Sequence, residues 1–264
     1  MFTRNGILAG AVRPSMRKLR YAAPVVAALA GLGFAASSHA AATYNGNGAT
    51  GFGGVLGNGS LSVSDDGTNI TFTLNPSGTF NSNDVVLYID STTGGFADTS
   101  TFSDNADAGR EAISGFNAGN PSRTLAVFPT GFNADYAIGF ENSVFSGLFQ
   151  LQSGGNNSLV FVPGQTNGLD TVTVPLSSLG LTGGQSLNFV ASLISTSAYR
   201  SNETIGTSVT TQAAGSPGDF PNAGFNGTTT FSASDTYATT AVPEPATAGL
   251  LGLGSLVLVY RRRR

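Results

Sequence analysis

The sequence predicts an all-β fold, an antiparallel β-sandwich of jelly-roll type, and three features carry that prediction. Between residues 41 and 240 the apolar residues fall in short runs rich in Val, Ile, Phe and Thr, separated by Gly and Asn. No stretch there sustains the i, i+3, i+4 spacing of an amphipathic helix. About ten short strands at turn-rich spacing bury their apolar faces best as two facing sheets.

In chain order, Tyr44 to Gly59 is glycine- and asparagine-rich and reads as loop or edge strand. Ser60 to Leu74 then alternates apolar and polar residues around Asp66-Gly67, the signature of a hairpin with a two-residue type I′ turn. That turn sets Val63 opposite Ile70 and Leu61 opposite Phe72, with all four side chains on one face. After the Asn75-Pro76-Ser77-Gly78 turn, Val85 to Ile89 is apolar on both parities, as in a strand covered on both sides, and Asp84 and Asp90 close its ends. Ser91 to Asn120 is a long polar surface excursion with a short element at Glu111 to Phe116.

Further strands are expected at Thr124 to Phe128, Asp135 to Glu141, Val144 to Leu151, Ser158 to Val162, Asp170 to Val174 and Leu187 to Ile194. Pro175 to Leu179 makes one helical turn. A turn-rich stretch from Gly206 to Gly227 precedes a final strand around Thr228 to Tyr237.

The two ends differ from this body. Met16-Arg17-Lys18-Leu19-Arg20 is a basic start, Tyr21 to Phe34 an apolar run, and Ser38-His39-Ala40 a small-x-small site. Together they read as a secretory signal peptide over residues 1–40, cleaved between Ala40 and Ala41, with Met16 as an alternative start. At the other end, Val242-Pro243-Glu244-Pro245 cannot be helical, because both prolines lack an N–H and push the preceding residue into extended backbone. Ala246 to Tyr260 carries no charge, and Arg261, Arg262, Arg263 and Arg264 follow. Fifteen apolar residues make about 22 Å of helix against roughly 30 Å of hydrocarbon, a short transmembrane helix suited to transient insertion. The arginines favour the cytoplasmic side.

Residues 242–264 closely resemble the PEP-CTERM sorting signal of bacterial surface proteins. That resemblance implies export, transient membrane insertion and processing by an exosortase, a membrane-embedded cysteine peptidase. The competing reading is an ordinary C-terminal tail anchor.

Setting both ends aside changes the charge. The whole chain is -3, but residues 41–240 hold three arginines, Arg110, Arg123 and Arg200, against fourteen acids, a net of -11. Such a body repels nucleic acid and anionic lipid. It also has no His, Cys, Lys, Trp or Met. A Ser-His-Asp triad, a Cys-His pair, a histidine zinc site and a lysine Schiff base are therefore excluded within it. Asp135 and Glu141 share parity on one strand, with both free to point to solvent. They lie about 20 Å apart, beyond the 5 to 9.5 Å that paired carboxylates need for glycoside hydrolysis. The expectation is a non-enzyme.

Asp90, Asp98, Asp104 and Asp107 crowd the long excursion, where oxygen ligands are available to calcium, although no EF-hand register fits. The plainer reading is solvated loop acids. Leu87-Tyr88-Ile89-Asp90, Asp135-Tyr136-Ala137-Ile138 and Val174 to Leu179 also bear a weaker resemblance to extracellular sandwich modules of the DOMON and family 9 carbohydrate-binding type. This resemblance implies exopolysaccharide as a partner, with Tyr88 and Tyr136 as candidate ligand aromatics. The sequence thus points to an exported structural or adhesive surface protein. The alternatives are a carbohydrate-binding module and a calcium-stabilised matrix protein.

Overall fold

The structure, a computed structural model, describes residues 41–119, 122–141, 145–206 and 209–241. The segments read as export signal, sorting box, membrane run and arginine tail lie outside them. Among the described residues no helix is long and apolar enough to cross a membrane.

The body is all-β, with its two main sheets antiparallel throughout. β1 (Ala42–Asn45) is the edge strand anticipated near Tyr44, and it pairs with β2 (Ser60–Asp65), which turns into β3 (Asn69–Asn75). The predicted hairpin forms, but its register differs. Val63 faces Phe72, Leu61 faces Leu74 and Asp65 faces Ile70. The turn centres on Gly67-Thr68 instead of Asp66-Gly67, with Gly67 at φ +80° in the first central position that a Gly-X loop requires. Carboxylates fix this choice: Asp66 Oδ1 accepts the N–H groups of Thr68 and Asn69 at 2.9 and 2.7 Å. Because the strand period is two, a two-residue shift keeps every apolar side chain on the core face.

β4 (Asn83–Asp90) crosses to the second sheet. Val85, Leu87 and Ile89 pack into the core between the sheets with Phe72, Val174 and Phe189. Val86 and Tyr88 enter a second apolar cluster with Phe102, Ile113, Phe128 and Phe231. Two covered faces explain the continuous apolar run.

The second cluster corrects the expected surface excursion, because residues 91–119 and 122–135 cover the outer face of the second sheet as a third layer. It contains helix α1 (Ala108–Ser114) and the short strands β5 (Phe116–Asn117), β6 (Ser122–Arg123) and β7 (Leu125–Val127). Asp107 caps α1 by accepting the Arg110 N–H, and Gly115 ends it in the left-handed region.

β8 (Tyr136–Glu141) pairs with β4 on one side and with β9 (Phe145–Gln150) on the other, and β10 (Val160–Phe161) forms the sheet edge. β11 (Thr166–Asn167) and β12 (Thr171–Pro175) return to the first sheet, giving the order β1-β2-β3-β12-β11. The helical turn after Pro175 is a 3-10 turn, Leu176–Leu179. β13 (Ser186–Ser195) re-enters the second sheet beside β4.

β14 (Arg200–Ile205) has no counterpart among the expected strands, and β15 (Val209–Ala213) occupies a stretch read as turns. The single expected final strand is two. β16 (Thr228–Phe231) joins the third layer, parallel to β7, and β17 (Asp235–Ala238) pairs with β13. β13 is long enough to serve two partners end to end, with β17 along Ser186 to Phe189 and β14 along Ala191 to Ile194.

Candidate functional site: the C-terminal exit

The body closes on itself where the chain leaves it. Asp65 ends the second strand of the first sheet, and β17 belongs to the second sheet. The Asp65 carboxylate accepts the Tyr237 hydroxyl at 2.7 Å and the Thr240 N–H at 2.9 and 3.1 Å, one to each oxygen. Its Oδ1 also takes the Gly67 N–H at 2.8 Å. One residue before Thr240, the Thr239 N–H and hydroxyl both donate to the Gln185 carbonyl, at 2.8 and 2.7 Å.

Tyr237, Thr239 and Thr240 are 3, 4 and 5 % exposed, whereas Ala241 is open to solvent. Burial alone would raise the Asp65 pKa, but the donors from Tyr237, Thr240 and Gly67 outweigh it and hold the carboxyl below its ordinary range. Burial and the neighbouring Asp65 charge push the Tyr237 phenol upward, so it stays a donor.

Ala241 is also the first residue of a stretch that a comparison with known families recognises. Residues 241–264 match the family model of the PEP-CTERM protein-sorting motif. The chain carries a PEP-CTERM sorting signal. The motif marks the protein as exported, associated with the cell envelope and addressed to an exosortase. No curated protein and no solved structure matches the chain. The likeness of the body to DOMON and family 9 modules therefore rests on its sequence pattern alone.

Of the motif, only Ala241 is described; Val242 to Pro245 and Arg261 to Arg264 lie outside, as does Ala40 at the other end, while Ala41 is exposed. The four candidate calcium ligands do not converge. Asp104 is buried and accepts backbone N–H groups from Ala106, Asn157 and Leu159. It shares Arg110 with Asp107, the Arg110 Nε standing 3.6 Å from Asp104 Oδ2 and Nη1 bonding Asp107 Oδ2. Asp98 accepts the Ser100 N–H at 2.8 Å and bridges to Val127. Asp90 accepts the Asn133 N–H at 3.3 Å, and burial, then the charge of Asp135, raises its pKa. Among the described residues no three of His, Cys, Asp or Glu come together as a metal-binding group.

Tyr88 is not available to a ligand. It is fully buried, donates to the Ile113 carbonyl at 2.7 Å and packs against Phe128 at 4.9 Å between centroids. The side chains that cover it, among them Phe102, Ile113, Phe128 and Phe231, come from segments distant in the sequence. Tyr136 is half-buried against the main core. Glu141 does not point to open water either, since it lies against Gly109 of α1. Burial, then the Asp107 charge, raises its pKa. Arg123 stacks over Phe116 and donates to the Thr99 and Phe102 carbonyls.

Two buried charges on β14 have no counterpart among the predicted site residues. Glu203, fully buried, accepts four backbone N–H groups from the glycine-rich loop, those of Phe52, Gly54, Leu56 and Gly57, at 2.6 to 3.1 Å. Arg200, also fully buried, points to the opposite face, where it bonds the Ser192 hydroxyl and stands 3.4 Å from the Tyr88 oxygen. Their only signal in the sequence is rarity: Arg200 is one of three cations in the body, and Glu203 follows it at the spacing that reverses strand face.

Proposed function

We propose that this PEP-CTERM chain is the precursor of a structural or adhesive surface protein, cleaved after Ala40 on export and processed by an exosortase in its C-terminal segment. The membrane run of residues 246–260 serves as a transient anchor. The body that reaches the surface is a jelly-roll-like, non-enzymatic sandwich. The observation that carries this reading is the sorting motif matched at residues 241–264, directly after Thr239 and Thr240, which are tied into the body by Gln185 and Asp65.

The non-enzymatic role is supported by the absence of His, Cys and Lys from residues 41–241 and by the use of Asp65, Asp104 and Glu203 as acceptors for backbone amides. The jelly-roll likeness is supported by the way β12 and β13 alternate between the sheets. Exopolysaccharide binding through Tyr88 is not favoured by its burial. Calcium binding by Asp104 requires that carboxylate to surrender three amides.

The test is fractionation of cells expressing the full chain or a variant with Pro243, Glu244 and Pro245 replaced by alanine. The wild-type body is expected at the surface or in the medium. The variant is expected to accumulate in the membrane fraction at full C-terminal length. Wild-type protein found in the cytosol with both ends intact overturns the proposal.

A further inference from the structure

Two sheet edges end on one side of the body. β10 pairs only with β9 and closes the second sheet, and β11 pairs only with β12 and closes the first. The Ser146 hydroxyl of β9 donates to the carbonyl of Leu169, in the turn between β11 and β12, and so ties the two edges together. On the β9 side the backbone is spent. The Val162 N–H donates to the Leu148 carbonyl at 3.0 Å, the Leu148 N–H to Gln165 Oε1 at 2.7 Å, and Gln165 Nε2 to the Leu148 and Val162 carbonyls at 3.0 and 2.6 Å. Backbone groups alternate sides along an antiparallel strand, so Phe161, one residue before Val162, turns its N–H and C=O to the open edge.

The surface around Phe161 is apolar and uncharged. Val160, Phe161 and Leu169 are 43, 39 and 53 % exposed, and with Phe220 they are the exposed large apolar side chains among the described residues. The Phe161 ring lies 5.9 and 5.7 Å from those of Phe145 and Phe149, between centroids. From Phe145 to Leu169 the sequence carries no charge. Charges stand only at the rim, where Asp170 follows Leu169 and Arg110, over the Phe149 ring, is paired with Asp107. The edge therefore lacks the charges that usually guard a strand against pairing with another chain, and Pro163 confines the opening to this short strand.

Charge and symmetry both select the partner. Residues 41–240 carry a net charge of -11, so a second copy is repelled by most of the body and meets least repulsion at this edge. The edge is also its own complement: one outward N–H, one outward C=O and a ring match a copy of themselves turned about a two-fold axis. We propose that this edge is a homotypic contact, at which a second copy of the chain pairs its own β10 antiparallel to this one, Phe161 against Phe161. The paired residues exchange both N–H···O=C bonds, and their rings lie side by side on one face. The contact is small, so it is weak in solution and gains strength where many copies stand on one surface. It goes beyond the surface role proposed above and concerns the body alone, whether or not either end is removed.

Sedimentation equilibrium of the protein recovered from the cell envelope or medium tests it. A concentration-dependent dimer is expected, strengthening as salt screens the acidic bodies. A monomer at every concentration up to about 1 mM overturns the inference, and so does a dimer that dissociates as salt rises. Phe161→Asp and Phe161→Lys each set like charges opposite one another and are expected to weaken the dimer at least about tenfold. Mixed in equal amounts they set Asp against Lys, and the dimer is expected to return. Near-ultraviolet circular dichroism confirms that each variant is folded. Leu169→Asp, at the more exposed position outside the strand, is the second variant and is expected to weaken the dimer as well. A dimer indifferent to all three substitutions, as one held by residues 246–260 would be, overturns the inference, as does a mixture that stays monomeric.

Discussion

The Tyr237 hydroxyl lies 2.7 Å from Asp65 Oδ2 and so joins the last strand of the second sheet to the first hairpin of the other. The pair is buried, and the carboxylate depends on its donors. Tyr237→Phe is expected to cost about 1 to 3 kcal/mol at pH 7, read from urea denaturation. Asp65 titrates below the ordinary carboxylate range, so its contribution is complete above the unfolded value near 4 and disappears as pH falls through the folded one. The gap between wild type and variant is therefore expected to narrow in acid.

Glu111 responds to pH with the opposite sign. Burial raises its pKa, and its Oε1 is buried without a hydrogen-bond partner. A carboxyl raised by folding contributes fully below its unfolded value of about 4.3 and loses that contribution as pH rises through the folded value. Glu111→Gln is expected to melt above wild type at pH 7 and to lose that advantage at pH 3. Thermal melts across that range check the crossing.

Glu203 anchors the glycine-rich loop by four charge-assisted bonds, so a neutral amide cannot replace it. Glu203→Gln is expected to cost about 2 to 4 kcal/mol. Hydrogen exchange should show lost protection at Phe52, Gly54, Leu56 and Gly57 before the sheets open.

Tyr88→Phe removes one internal donor and nothing from the surface. A loss of about 1 kcal/mol is expected, with binding to any glycan unchanged in a pull-down. A binding loss without a stability loss would return Tyr88 to the role of ligand aromatic.

The strands legible in the sequence are those whose chemistry is local. Ile70 and Phe72 alternate with threonine, and Val85 to Ile89 are apolar on both parities, so β3 and β4 declare themselves. β14 does not. Arg-Ser-Asn-Glu-Thr-Ile reads as loop because it faces two polar sites, the Glu203 cradle and the Arg200 pocket, that exist only once distant segments arrive. The hairpin register escaped for a related reason: Asp66 fits either the centre or the rim of a turn, and its bonds to Thr68 and Asn69 decide between them. The sorting motif was fully legible, since it is read as linear peptide. Asp65 was not, because its importance comes from Tyr237 and Thr240, far along the chain.

β13 gives the molecule a direction. Its Ser186 end lies beside the exit, where Ala238 pairs with it, and its Ser195 end lies beside Tyr199, whose hydroxyl bonds Asp219 at 3.0 Å. Next to Asp219 stands Phe220, 73 % exposed. The strand is ten residues long, so the two ends are about 30 Å apart. A body fastened at its Thr240 end would therefore carry the Ser195 end of β13, and the exposed Phe220 linked to it through Tyr199 and Asp219, away from the point of attachment.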